Sequence, residues 1–81
     1  MKIHLIQGHF TSKDAISIIT KMIDVKIKFQ EEKIKSADHE EDIKMRENRI
    51  KSLQKELYET RKTIEALGEN VSVQSEINIG S

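Results

Sequence analysis

The spacing of apolar residues changes along the chain, and each change predicts an element. Lys2-Ile3-His4-Leu5-Ile6 is short and rich in aliphatic and β-branched residues, and it runs into Gly8; this predicts a strand over residues 2–7 that ends in a turn. Thr11 and Ser12 then offer hydroxyls for a helix N-cap. Thr11-Ser12-Lys13-Asp14 has the capping-box spacing, in which side chains satisfy the first orphan amides. A helix is therefore expected from residue 12.

Between Ala15 and Leu67 there is neither glycine nor proline, so backbone chemistry alone forces no break. The charges do suggest one. Lys33 and Lys35 suit a helix C-terminus, whereas Glu40, Glu41 and Asp42 suit a first turn, and Asp38 with Glu41 has capping-box spacing. The prediction is a helix over 12–35, a turn over 36–39 and a second helix over 40–67, folded as an antiparallel hairpin. A competing frame puts Ala15, Met22, Phe29, Ser36, Ile43, Ile50, Leu57 and Ile64 in one heptad position straight through the turn, as a continuous rod would. That rod would place Glu32 and His39 in its seam. These polar residues fall where the turn signals lie, which favours the hairpin.

The two helices carry different patterns. In the second, Ile43, Ile50, Leu57 and Ile64 recur every seventh residue, with Leu53 and Leu67 at the intervening seam position and Arg46 and Thr60 interrupting it. In the first, the apolar side chains from Ala15 to Phe29 spread over about 200° of the helical wheel, too wide for one partner helix to cover. The expected core is Ile16, Ile19, Ile23, Ile27, Ile50, Leu53, Leu57 and Ile64. Ile18, Met22, Val25 and Phe29 are left for a sheet or a second copy of the chain.

Gly68 is placed as a C-cap, and the residues from Val71 to Ile79 alternate apolar and polar, which predicts a half-buried strand over 71–79. The order is βααβ, mainly α, in a single domain. The path through the hairpin returns the last strand antiparallel to the first. A two-stranded ribbon is marginal by itself, so a dimer is its natural completion.

Composition sharpens this picture. At 81 residues the chain makes a small core, and without cysteine it has neither disulfides nor thiolate-bound metal, which leaves oligomerisation as the common remaining source of stability. It is 35% charged, 4% aromatic and free of proline, as coiled-coil and long-helix proteins are. Fourteen basic and fourteen acidic residues cancel. Residues 1–35 hold seven basic and four acidic side chains and residues 36–81 seven and ten, so the halves carry +3 and −3 and attract one another in a hairpin. No signal-like or membrane-spanning run occurs, and a cytoplasmic location is expected.

Candidate chemistry is sparse. His9, Ser12 and Asp14 are the residue types of a catalytic triad, but one turn-to-helix junction does not readily make them converge. His4 and His9 are too few for a zinc site, and Glu40-Glu41-Asp42 lacks the calcium-loop pattern. No catalytic, cofactor or metal site is assigned, and an enzyme is not expected. Lys21, Lys28 and Lys35, spaced by sevens on one face of the first helix, form a stripe able to touch phosphates, but without interleaved aromatic residues. The function expected is therefore a protein–protein interaction or structural module that self-associates through its helices, most simply as a homodimer. A nucleic-acid-associated regulator using the lysine stripe is the alternative.

Overall fold

The computed structural model describes all 81 residues. Strand β1 (Lys2–Phe10) leads into helix α1 (Ser12–Lys35), which turns back through helix α2 (Glu40–Leu67) to strand β2 (Val71–Asn78). The hairpin is present and the chain does not form a rod. Over its Cα atoms the molecule measures 46 × 31 × 13 Å, a thin plate.

Thr11 is the α1 N-cap, with extended backbone and a side-chain oxygen that accepts from the Asp14 amide at 3.1 Å. This satisfies one of the orphan donors of the first turn. At the other end Ser36 closes the helix, its amide bonded to the Ile34 carbonyl and its hydroxyl to the Lys33 carbonyl at 3.3 Å. The second expected capping box does not form: His39, not Asp38, is the α2 N-cap and its side chain makes no capping bond. Asp38 lies one residue too early, and the α2 start depends instead on Glu40, Glu41 and Asp42, whose negative charge complements the helix dipole. Gly68 ends α2 at φ 82°, ψ −143°, a conformation open almost only to glycine.

β1 is longer than expected, running through Gly8 to Phe10, so His9 sits in the ribbon opposite Ser72 and not in a turn. Gly8 is tolerated because the Phe10 ring lies over it, with ring carbons 3.6 Å from where a Cβ would stand. The ribbon is antiparallel with one irregularity: His4 pairs with Glu76 and Ile6 with Ser75, leaving Leu5 as an extra residue. This bulge explains the sequence of β1. In an unbroken strand Ile6 would share a face with His4 and Lys2. The extra residue shifts the parity, so Ile3 and Ile6 share the apolar face with Phe10, Val71, Val73 and Ile77. Lys2, His4, Gln7 and His9 fall on the polar face with Ser72, Gln74, Glu76 and Asn78, all exposed, and Lys2 lies 3.9 Å from Glu76.

The ribbon packs at the base of the hairpin. Ala15, Ile64 and Val71 are buried together there, flanked by Phe10, Ile16, Ile19 and Val73. Leu53, 1% exposed, is the one large side chain fully buried, between the helices higher up. The remaining expected core residues, Ile16, Ile19, Ile23, Ile27, Ile50 and Leu57, are half-buried because the plate covers them from one side only. Arg46 interrupts the α2 seam, yet is put to use: its guanidinium donates across the hairpin to the Gln30 side-chain oxygen at 2.9 Å and along its own helix to Asp42 at 3.4 Å.

Candidate interaction surface

Four of 81 residues are buried, and the chain exposes 6470 Å². A folded monomer of 9.4 kDa is expected to expose about 5,000 Å² from the scaling of surface with mass. The excess, about 1,500 Å², is surface that a compact fold would have covered.

Much of it is apolar and continuous. On α1, Ile18 and Met22 are half-buried, Met22 beside the ribbon, while Val25 and Phe29 further along are 67% and 51% exposed. The apolar face of the ribbon is likewise covered only at its base, and Met1, Ile3, Leu5, Ile77 and Ile79 emerge towards its open end. Between the two runs a groove of about 550 Å³, lined by Leu5, Met22, Val25, Lys26, Ser75 and Ile77. A second depression of about 290 Å³ continues from Val25, Lys26 and Phe29 to Gln30, Arg49 and Leu53 of the hairpin. Val25 is thus common to both. Met45, 61% exposed on α2, adds apolar surface that the seam pattern did not single out, because it lies outside the heptad positions facing α1.

The lysine stripe is present and exposed, but it is not a free row of cations. Lys28 lies 3.0 Å from Asp24, and that hydrogen bond and charge raise the Lys28 pKa above its ordinary value, with a smaller contribution from Glu31. Lys21 and Lys35 flank it on the same side of α1, exposed to solvent. On the hairpin's other surfaces Lys33 stands 5.6 Å from the Phe29 ring centre and Lys62 stands 4.6 Å from that of Tyr58, distances at which a cation is attracted to the ring face.

The triad-like residues do not converge. The Ser12 hydroxyl is turned to the carbonyls of Gly68 and Ile64, His9 faces outward from the ribbon, and Asp14 is exposed in the first turn of α1. His4 is opposite Glu76, and His4 and His9 join no group of three metal-binding side chains. No helix is long and apolar enough to cross a membrane. The spacing of α1 marks its stripe; which part of the ribbon lies beside it depends on the bulge at Leu5, whose trace in the sequence is the adjacent apolar pair Leu5-Ile6.

Compared with family models, characterised proteins and solved structures, the chain matches none.

Proposed function

We propose that this chain is a non-enzymatic association module that pairs with a second copy of itself through α1 and the adjoining ribbon, giving a helical, coiled-coil-like dimer. The observation that carries the reading is the surplus of about 1,500 Å² of exposed surface over that expected for a monomer of this mass. Permanent homodimers bury about 1,000–2,500 Å² from each partner, so one partner of the same size suffices to absorb the surplus. Closed two-fold symmetry is the commonest solution among soluble oligomers. Cytoplasmic residence, expected from the sequence, belongs to the same proposal.

The test is molar mass by light scattering over a concentration series. Twice the chain mass, falling only at high dilution, is the expected result. A single-chain mass at every concentration would remove the proposal.

A further inference from the structure

The outer stripe of α1 carries more information than its polarity. Ile18, Met22, Val25 and Phe29 are separated by four, three and four residues, and at 3.6 residues per turn they fall within an arc of about 60°. A spacing of four, three, four reads the same in both directions. Laid antiparallel on itself about a point between Ile23 and Asp24, the stripe places Ile18 against Phe29 of the partner copy and Met22 against its Val25. Each contact then occurs twice, as an isologous interface requires.

We infer that the dimer is built by antiparallel packing of α1 on α1 of the second copy, with its two-fold axis beside Ile23 and Asp24. This rests on the self-association proposed above and adds the surface and orientation. Three observations support it. Val25 and Phe29 are the most exposed apolar side chains on α1, so the stripe is free to receive a partner. The groove beside it supplies Leu5 and Ile77 as a second wall against which the partner's Val25 packs. A parallel arrangement would set each stripe residue beside its own copy, Ile18 against Ile18 and Phe29 against Phe29, and would align the two helix dipoles; the antiparallel one opposes the dipoles and mates large side chains with smaller ones.

Pulsed dipolar spectroscopy on nitroxide-labelled Lys21→Cys and Lys35→Cys proteins tests the geometry, since both sites are exposed and lie off the stripe. With the axis at that point, like residues separate along the helix by about 3 Å per residue from it, twice the 1.5 Å rise. The offset is therefore about 8 Å at position 21 and about 35 Å at position 35, and the longer distance is expected at 35. Equal distances at both sites, as in a parallel pair, or a longer distance at 21, would overturn the inference and leave self-association standing. Absence of any intermolecular distance would overturn both. As a second arm, Val25→Glu on the Lys21→Cys background is expected to abolish the dipolar signal while leaving the circular dichroism unchanged. A retained signal would show that the stripe is not the interface.

Discussion

The Ser12 hydroxyl donates to the Gly68 carbonyl, so the first residue of α1 ties off the last turn of α2. The same oxygen lies 3.5 Å from the Ile64 carbonyl, one of the four that a helix C-terminus leaves without an internal partner. Both the start of the hairpin and the hinge into β2 therefore depend on one side chain. Ser12→Ala is expected to lower stability by about 1 kcal/mol, the ordinary loss for one hydrogen bond, read as a lower urea midpoint at unchanged m-value. Ser17→Ala, at an exposed position on the same helix, serves as the control and should stay within about 0.5 kcal/mol of the parent.

The bulge at Leu5 gives a sharper prediction because it controls which side chains face which way. Deleting Leu5 would remove the extra residue and leave an unbroken β1 in which Ile3 and Ile6 still share the apolar face and Lys2 and His4 the polar one. The open half of the ribbon would keep its apolar groups on the same face and should stay paired. The Ile79 amide, which donates to the Met1 carbonyl at 2.7 Å, reports this directly. Its hydrogen exchange is expected to stay within about threefold of the parent's, as is exchange in the base pairs Gly8–Val73 and Phe10–Val71. Lost protection at Ile79 would show that the bulge itself, and not side-chain parity, holds the two strand ends together.

These two features mark where sequence reading succeeds and where it stops. The helix limits are legible because capping and dipole chemistry are local: Thr11, Lys33, Lys35, Glu40 and Gly68 each act within one turn of where they stand. The hairpin followed from polar residues gathered at positions 32–39. The bulge is less legible: the break in alternation at Leu5-Ile6 is its trace, but two adjacent apolar residues equally suit a strand buried on both faces. The Ser12–Gly68 bond spans 56 residues and had no local signal; Ser12 looked like a second capping candidate beside Thr11. The α1 stripe is legible as a surplus of apolar arc, but its uncovered part is set by the ribbon, which reaches Met22 and leaves Phe29 exposed.

Among the five acid-before-base pairs at i,i+4 in the sequence, Asp24–Lys28, Glu40–Lys44 and Asp42–Arg46 close to within 4 Å, while Glu31–Lys35 and Glu47–Lys51 do not. The Asp24–Lys28 pair has a pH signature. Its hydrogen bond raises the folded-state pKa of Lys28 above the unfolded value of 10.5. A raised pKa in the folded state means that the pair's contribution is complete below pH 10.5 and disappears as pH climbs through the folded value. An NMR titration of the Lys28 side chain is expected to show a midpoint above the ordinary lysine value, returning towards it in Asp24→Asn. No change on that substitution would remove Asp24 as the cause. Because Lys28 is fully exposed, screening by salt should shrink the shift.

Arg46 occupies a seam position where a leucine would be expected to pack better, and its bond to Gln30 is the one hydrogen bond between side chains of α1 and α2. Polar groups at such positions characteristically set register. Truncating either residue alone to alanine leaves the other partly desolvated without its partner, at a cost of about 1 kcal/mol. Truncating both should cost less than the sum, and a double-mutant cycle is expected to give a coupling of at least about 0.5 kcal/mol. Arg46→Leu separates stability from register: apolar packing in the seam should match or exceed the parent's urea midpoint, while loss of the polar tie at mid-hairpin lets the helices slide there. The expected result is an unchanged or higher midpoint together with broadened amide resonances along Ile43–Leu53. Sharp resonances at parent positions would show that Leu53 and its neighbours hold the register without Arg46.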